Sequence, residues 1–544
     1  MFAAPIFLGV RPVQADPALQ QLREQQRERR VLERQQRLRQ LSRPPVNLPA
    51  EPTAPTMQSD HCWPISGLRL AGNTLITRET LNAHLDPLLQ SCMGEAQINE
   101  VLKAITRLYV HEGYLASRPY LANPPEAGAS LDIMIVEGFV ESVEFADPDL
   151  PLSLERAFPD LLGRPLALDA LEQGLSQMNR LQSFDLSADL EPGTLQGGTR
   201  VVIRSKRRRA SRWQLMTHLN NTGAALTGRN QAAIDLILDS PLEQNDRLHL
   251  RGRRTLPSAP GESLSFGLGY SIPHGAWSFA LNADYPNYRA PLPGVSLNST
   301  GQSAIYSLGL ERSLWNKRSS ALGASLQLNY KRLDNRIGNR TVILQSPTLT
   351  TLDAGLNLSW RDDALWSINL GYSLGLPFLG ADTQTFNSRT PQPQFRKYRA
   401  SLWQRREGLD PALPWRWDSD LVVQYSPDPL PAVEQISVGD SVVRGQGDYT
   451  MTGASGARWR NNLSLALATP LPIQVRPSIG LDLGWSRFDH GLPSQRLAGA
   501  FAGIQLATPR GQLNLDYQRT LYVSHLSSRL LEPGQWRARL TLLF

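Results

Sequence analysis

From about residue 210 to the end of the chain, apolar and polar residues alternate in one segment after another. Between Trp277 and Tyr285, for example, every second residue is Trp, Phe, Leu, Ala or Tyr, and the residues between them are Ser, Ala, Asn and Asp. The same alternation recurs in the segments 264–270, 322–330, 352–360 and 366–374. A period of two is typical of a β-strand with one apolar face, so this part of the chain is predicted to be all-β.

Aromatic residues often stand at the ends of these apolar stripes. Trp and Tyr are best placed where an apolar layer meets water, so the pattern indicates strands that face lipid and end in an aromatic girdle. A soluble sandwich also alternates, but its inward stripes need no aromatic ends. We count about sixteen segments, and an even number of antiparallel strands can close without the exposed edge that hydrocarbon forbids. The fold prediction is a transmembrane β-barrel of sixteen antiparallel strands over residues 209–544.

Residues 61–208 carry a different pattern, in which short strands and amphipathic helices occur in the same order twice. Each copy has the order β-α-α-β-β over about 70 residues. The first copy lies within 61–139 and the second within 140–208. A repeated unit of this size is a small α+β domain, and tandem small domains usually bind a partner.

The first sixty residues fall into three pieces. Residues 1–15 resemble the remnant of a secretory signal peptide that ends in the small-residue site Val13-Gln14-Ala15, although no basic residue precedes the apolar run. Asp16 and Pro17 are typical of a helix start, and nothing interrupts the helix predicted over 16–42. Residues 43–60 are rich in proline and are predicted to form an extended linker.

The predicted helix 16–42 is strongly basic and has few apolar residues. Its arginines include Arg23, Arg27, Arg30 and Arg34. Such a helix buries little surface, and three interpretations are open: a solvated rod, a basic arm that binds membrane or nucleic acid, and a plug inside a polar, water-filled lumen. Periodicity alone favours the solvated rod.

Composition and charge narrow the class of protein. The chain has 544 residues, 41% of them hydrophobic and 19% charged, and no run approaches the roughly 18 apolar residues of a transmembrane helix. The net charge is only +7 and no basic surface is interleaved with aromatic residues, so nucleic acid is not an expected partner. Cys62 and Cys92 suit one disulfide in an oxidising compartment better than a metal site, and two buried free thiols are the alternative.

No catalytic or cofactor-binding pattern stands out. The eight histidines are scattered, and His61, His84 and His111 lack the spacing of metal ligands. The chain has no GxSxG, HExxH or P-loop motif. We therefore expect no catalytic residues, no metal, no cofactor and no enzymatic activity.

The longest connection of the predicted barrel, around residues 426–457, contains Val443-Arg444-Gly445. In the next strand, Ile473 to Trp485, the alternation turns Asp482 towards the lumen. A guanidinium can hold a carboxylate through two hydrogen bonds, so one interpretation is a loop that folds inward and pairs Arg444 with Asp482. The other, which spacing alone favours, is that Arg444 is a solvated loop residue.

The order of basic helix, proline-rich linker, two β-α-α-β-β units and sixteen-stranded barrel resembles the two-partner secretion transporters, the ShlB/FhaC/HecB haemolysin secretion and activation family. In that family the small domains are POTRA domains. The resemblance covers essentially the whole chain after Ala15. The family's loop motif is Val-Arg-Gly followed by an aromatic residue, and it matches Val443-Arg444-Gly445. Residue 446 is Gln, so the aromatic residue is lost or displaced towards Tyr449.

The family's strand motif, Phe-x-Asp-x-Gly, matches Asp482 and Gly484, but Gly480 stands at its first position. The resemblance implies that Arg444 pairs with Asp482 and holds the inward-folded loop in place. It also implies that the helix 16–42 plugs the lumen and leaves it during secretion.

Two further expectations come from the resemblance. The first POTRA domain of the family is similar in two segments, Gly72-Asn73-Thr74 and Tyr109-x-x-x-Gly113-Tyr114. That domain often contains a disulfide, which Cys62 and Cys92 would form here. The chain ends in an alternating segment that includes Trp536, Leu542 and Phe544. A terminal phenylalanine of this kind resembles the signal by which the outer-membrane assembly machinery recognises its substrates.

The function implied is that of an outer-membrane translocator of a Gram-negative bacterium with POTRA domains in the periplasm. Its expected partners are one large exoprotein bound through an N-terminal secretion domain, outer-membrane lipids, and the barrel-assembly machinery during biogenesis. The exoprotein would be a haemolysin, an adhesin or a contact-dependent toxin. A barrel-assembly insertase of the same superfamily is the main alternative, followed by a passive porin and an outer-membrane enzyme.

Overall fold

The computed structural model has two small α+β domains followed by a closed β-barrel. It describes residues 34, 62–206, 211–257, 259–292, 294–317, 319–384, 390–408, 410, 413–439, 442–445, 451–488, 493–524 and 531–544. The segments 1–15 and 43–60 lie outside these residues, and Arg34, which is helical, is the one described residue of 16–42. In the described part of the chain, no helix combines the length and apolar character needed to cross a membrane.

The first domain has a three-stranded sheet covered by two helices. Its elements are β1 (Cys62–Pro64), β2 (Gly67–Ala71), α1 (Arg78–Leu85), β3 (Cys92–Gly94), α2 (Glu95–His111), β4 (Arg118–Leu121) and β5 (Ser130–Val136). The central β5 pairs in parallel with β2 and antiparallel with β4. Ile98, Val101 and Ile105 recur at the spacing of one helical face and are buried against the sheet, which fixes α2 on the domain core. A disulfide joins Cys62 on β1 to Cys92 on β3.

The second domain repeats this topology. It consists of β6 (Phe139–Phe145), α3 (Leu154–Ala157), α4 (Leu168–Asn179), β7 (Leu186–Pro192) and β8 (Gly198–Ser205). Here β8 is central, parallel to β6 and antiparallel to β7. The two domains therefore share the order β-α-α-β-β, and Phe139 is the first residue of the second sheet.

Sixteen antiparallel strands form the barrel, as predicted. They are β9 (Trp213–Asn220), β10 (Gln231–Asp239), β11 (Arg247–Thr255), β12 (Glu262–His274), β13 (Trp277–Pro291), β14 (Asn298–Lys317), β15 (Ser320–Ile337), β16 (Thr348–Arg361), β17 (Ala364–Leu376), β18 (Arg396–Gly408), β19 (Trp415–Tyr425), β20 (Ser455–Leu465), β21 (Gln474–Arg487), β22 (Gln495–Thr508), β23 (Gly511–Val523) and β24 (Gln535–Leu543). The last strand, β24, pairs with β9 and closes the sheet. The backbone N–H of Phe544 donates to the carbonyl of Leu215, 2.9 Å away, so the chain terminus takes part in the closure.

The outer surface of the barrel has aromatic residues at both ends of its strands. Trp360 and Trp366 stack with ring centroids 5.6 Å apart beside one hairpin turn. Towards the opposite end, Tyr398 lies between Tyr372 and Tyr425, at centroid distances of 5.2 and 6.3 Å. These positions agree with a girdle at each boundary of an apolar layer.

The second domain docks on the hairpin turns at one end of the barrel, which we call the near end. The side-chain amide of Asn245, in the β10–β11 turn, exchanges two hydrogen bonds with the backbone of Ser153, at 2.9 and 2.7 Å. Asp239, the last residue of β10, accepts from both the backbone N–H and the hydroxyl of Ser183, each at 2.9 Å. Gln177 donates to the carbonyl of Gly275 in the β12–β13 turn, at 2.7 Å. The domain is thus held against the barrel by directed hydrogen bonds.

Glu137, directly after β5, ties three elements of the first domain together. Its carboxylate accepts from the backbone N–H groups of Thr74 and Leu75, both at 2.8 Å, from the Thr74 hydroxyl, and from the Tyr109 hydroxyl at 2.7 Å. Burial raises the pKa of Glu137, but these hydrogen bonds outweigh it and leave the pKa below its usual value. Burial and the Glu137 carboxylate raise the pKa of Tyr109. The sequence similarity around Gly72-Asn73-Thr74 and Tyr109 therefore has a structural basis in one shared carboxylate.

We expect Glu137→Gln to lower the free energy of unfolding of the first domain by about 1–2 kcal/mol at pH 7, because the amide is a weaker acceptor for four donors. Since the pKa of Glu137 is lowered, its contribution is fully present above the usual carboxyl value of 4.5 and is lost as the pH falls through the folded pKa. Hydrogen–deuterium exchange of the β2 and β5 amides in the intact protein would measure the difference at pH 7 and pH 4.

The matched control is Glu126→Gln, which changes an exposed carboxylate of the same domain. It is expected to leave exchange unchanged at both pH values. Equal protection of wild type and Glu137→Gln at pH 7 would contradict the stabilising role of the carboxylate.

Candidate functional site

The connection between β19 and β20 folds back into the barrel. Ile436–Ser437 pairs with Thr452–Gly453 as a short antiparallel ladder, and Gln424 on the wall donates from one side chain to the carbonyls of Glu434, at 3.0 Å, and Ala454, at 3.2 Å. We call this segment, residues 426–454, the inward loop. Its side chains Val438, Val443 and Met451 are buried against Leu497 and Val523 of the wall.

Arg444 and Asp482 meet in the lumen. The Arg444 Nε donates to one carboxylate oxygen of Asp482 at 2.7 Å, its Nη2 donates to the other, and its backbone N–H donates to the first at 2.9 Å. Asp482 has no solvent-exposed surface, and the Nε of Arg460 lies 3.7 Å from it. A buried carboxylate with this many donors is strongly dependent on its partners, so removing Arg444 leaves a charge that the lumen solvates poorly.

An aromatic ring lies under the Arg444–Asp482 pair. It does not come from residue 480, where the family's strand motif has Phe, but from the neighbouring strand. Gly480 on β21 pairs in register with Phe501 on β22. A Cβ at residue 480 would lie 2.2 Å from the carbonyl oxygen of Asn461 and 2.3 Å from the Phe501 ring. The Arg444 guanidinium lies 3.6 Å from the centroid of that ring. Gly480, which departs from the family's strand motif, is thus matched by a phenylalanine across the strand pair.

Glycines on both the loop and the wall allow the close approach. Gly445 has φ +99°, and a Cβ there would collide with the backbone of Arg519 and Thr520 on β23. A Cβ on Gly484 would lie 2.8 Å from the Val438 Cβ and 3.1 Å from a methyl carbon of Val443. The structure therefore brings Val443, Arg444, Gly445, Asp482 and Gly484 into one contact. Gln446 and Tyr449 lie outside the described residues.

A cavity of about 340 Å³ adjoins the Arg444–Asp482 pair. Its wall is rich in charged side chains, namely Arg34, Arg416, Arg444, Arg458, Arg460, Arg476, Asp418, Asp420 and Asp516. Arg34 contacts the wall directly: its Nη1 lies 3.2 Å from a carboxylate oxygen of Asp420, and its guanidinium lies over the Trp403 ring at 4.9 Å. Arg23, Arg27 and Arg30 lie outside the described residues. The one described residue of the basic helix therefore enters the same polar lumen as the loop.

The remaining predicted residues lie elsewhere. Cys62 and Cys92 are bonded to each other in the first domain. Trp536, Leu542 and Phe544 face outward on the closing strand, where the Trp536 ring packs on Tyr517 with centroids 5.3 Å apart. Sequence reasoning missed Phe501 because its relation to Gly480 depends on strand register. The only sequence signal was a lone phenylalanine among small residues in an alternating segment.

Comparison with known proteins decides the family. A model described as "Haemolysin secretion/activation protein ShlB/FhaC/HecB" matches residues 197–506. The chain belongs to the ShlB/FhaC/HecB family. Models described as "POTRA domain, ShlB-type" and "POTRA domain" match residues 63–138 and 139–192, so the two small domains of this family member are POTRA domains.

Relatives of this family member are similar over nearly their whole length. The hemolysin transporter protein ShlB of Serratia marcescens is 34% identical, covering 96% of this chain and 93% of the relative, and the hemolysin transporter protein HpmB of Proteus mirabilis is 31% identical, covering 96% and 94%. The solved structure of CdiB from Escherichia coli superposes with a TM-score of 0.85 at 25% identity, covering 98% of this chain and 100% of that one.

These matches establish the location and the general function of the ShlB/FhaC/HecB chain. It is an outer-membrane transporter of two-partner secretion, and its POTRA domains lie in the periplasm. The near end of the barrel, on which the second POTRA domain docks, is therefore the periplasmic end. The inward loop enters the lumen from the extracellular end.

We expect Phe501→Leu to reduce export of the partner exoprotein by roughly 2- to 30-fold, because a cation–π contact of about 0.5–2 kcal/mol under Arg444 is lost. The ring cannot be supplied from residue 480 instead, because a Cβ there would lie 2.2 Å from the backbone carbonyl oxygen of Asn461. Export is measured as exoprotein in the medium, normalised to the amount of barrel in the outer membrane.

Phe501→Tyr keeps the ring and serves as the conservative control. Wild-type export by Phe501→Leu would mean that the ring has no role in holding Arg444.

Proposed function

We propose that this transporter captures one large exoprotein in the periplasm through its POTRA domains and passes it through the barrel lumen to the cell surface. The observation that carries the proposal is the docking of the second POTRA domain by directed hydrogen bonds on the periplasmic turns of a barrel with a polar lumen. A polypeptide held by the POTRA domains would lie next to the lumen entrance. The haemolysin class of exoprotein is favoured, because the relatives at 31% and 34% identity are named hemolysin transporters.

The POTRA sheets have edges at which an extended polypeptide could add as a further strand. In the first domain the outer strands are β2 and β4, and in the second they are β6 and β7. Beside the β4 edge, Tyr120 and Met134 are cross-strand partners and are 56% and 44% exposed. Backbone hydrogen bonds at an edge hold a chain with little demand on its sequence, and the exposed apolar pair adds contact area. This arrangement suits an unfolded exoprotein.

Arg444 and Asp482 would hold the inward loop in the resting lumen, and Arg34 with its helix would plug the remaining space. Trp536 and Leu542 on the closing strand, with the terminal Phe544, would be the signal read by the barrel-assembly machinery. The outer surface of the barrel would contact outer-membrane lipids. No nucleotide-binding motif is present in the sequence, so folding of the exoprotein outside the cell would drive export.

Cells that lack this protein are expected to retain in the periplasm the exoprotein encoded beside its gene, and the full chain should restore secretion. A chain without 62–206 should insert its barrel but not restore secretion, since capture is lost. Arg444→Ala should insert normally and export at least about tenfold less, because Asp482 loses its main partner. Secretion is scored in the medium and on the cell surface.

Arg510→Ala is the matched control, since Arg510 is exposed at a periplasmic hairpin. Undiminished export by the chain without 62–206 would rule out capture by the POTRA domains. Wild-type export by Arg444→Ala would remove the loop contact from the proposal and leave capture intact.

The plug proposal predicts a graded effect on permeability. Asp420→Asn should raise the conductance of the protein in planar bilayers by up to about fivefold, as expected for a partly exposed ion pair of about 1 kcal/mol. Deletion of 16–42 should raise it further without stopping export. Glu262→Gln, an exposed carboxylate on β12, is the control. Equal conductance with and without 16–42 would contradict a plug.

A further inference from the structure

The inward loop makes a second charged contact ten residues before Arg444. The Glu434 carboxylate lies between Lys331 and Lys397, and each ammonium donates to a different carboxylate oxygen. The side chains are 3%, 7% and 11% exposed in that order, so the trio is almost fully removed from water. A buried carboxylate between two cations is a directional contact that fixes the backbone carrying it.

Apolar packing of Val433 and side-chain hydrogen bonds of Gln435 hold Glu434 in this position. Val433 is buried with Ile305, Leu333 and Leu349 on the wall. The Gln435 amide donates to the carbonyl of Leu430 at 2.9 Å and its oxygen accepts from Thr452 at 2.7 Å, which joins the two arms of the loop. The contact is therefore formed by the loop and the wall together.

The two charged contacts lie on different parts of the barrel. Lys331 is on β15 and Lys397 on β18, whereas Asp482 is on β21. Lys331 and Asp482 are thus six strands apart in a barrel of sixteen, and the loop bridges the lumen between them. We infer that Lys331, Glu434 and Lys397 form a second anchor of the inward loop, and that the three are positioning residues for its resting place in the lumen. This inference rests on the proposed function, because the second anchor matters for export only if the inward loop has the role proposed for it.

The test reads the position of the loop directly. Ser437, between the two anchors, is 5% exposed, so a cysteine placed there should react slowly with a membrane-impermeant maleimide added to intact cells. In the full chain carrying Ser437→Cys, Glu434→Gln should increase the labelling rate by at least about tenfold, because two buried ammonium groups lose their counter-charge. Cys62 and Cys92 are bonded to each other and leave the background low.

Charge reversal separates attraction from a loss of packing. Glu434→Lys should label at least as fast as Glu434→Gln, and adding Lys331→Glu with Lys397→Glu should return the rate to within about threefold of the starting chain, because acid and base are merely exchanged. Asp353→Asn is the control, since Asp353 is a wall carboxylate of β16 that accepts from Asn329 at 2.7 Å. It should leave labelling unchanged.

Barrel folding is checked for every variant by its heat-modifiable electrophoretic mobility. If Glu434→Lys fails to fold, Lys397→Met takes its place and should also accelerate labelling. Slow labelling in Glu434→Gln, or fast labelling that persists in the charge-reversed chain, would overturn the second anchor. The labelling assay contains no exoprotein. Its result can therefore contradict the second anchor while the proposed export function stands, and the export function can be contradicted while the anchor stands.

Discussion

A barrel of sixteen strands encloses a lumen that is too wide for the side chains of its own wall to fill. Polar side chains that the wall turns inward therefore need partners from other segments that enter the lumen. Asp482 shows the dependence most clearly. It is fully buried, and its charge is balanced by Arg444 of the inward loop and by Arg460 on the neighbouring strand. The inward loop and Arg34 are therefore part of the folded barrel. A transport pathway in this protein has to be opened by moving something that stabilises the closed state.

The alternation along the strands could be predicted from the sequence because one physical demand acts on every strand: the outer face has to be apolar. The two POTRA domains were predictable for a similar reason, since helices such as α2 bury one face at a regular spacing. Family resemblance supplied the pairing of Arg444 with Asp482, which spacing alone did not favour. These features depend on local patterns or on a short motif.

The other contacts could not be predicted, because they depend on register and on distance around the barrel. Phe501 lies beside Gly480 only because β21 and β22 pair at that offset. Glu434 meets lysines about 40 and 100 residues away in sequence, on strands that do not touch each other. Glu137 likewise looks like any polar residue after a strand until Thr74 and Tyr109 are placed around it.

The two charged contacts of the inward loop have opposite polarity. Glu434 is an acid that meets bases on the wall, whereas Arg444 is a base that meets an acid. If the loop slid so that Glu434 reached Asp482, two carboxylates would meet in a poorly solvated space. If Arg444 reached Lys331 and Lys397, a guanidinium would meet two ammonium groups there. The pattern of charge on the loop and the wall therefore specifies one register and one orientation of the loop in the lumen.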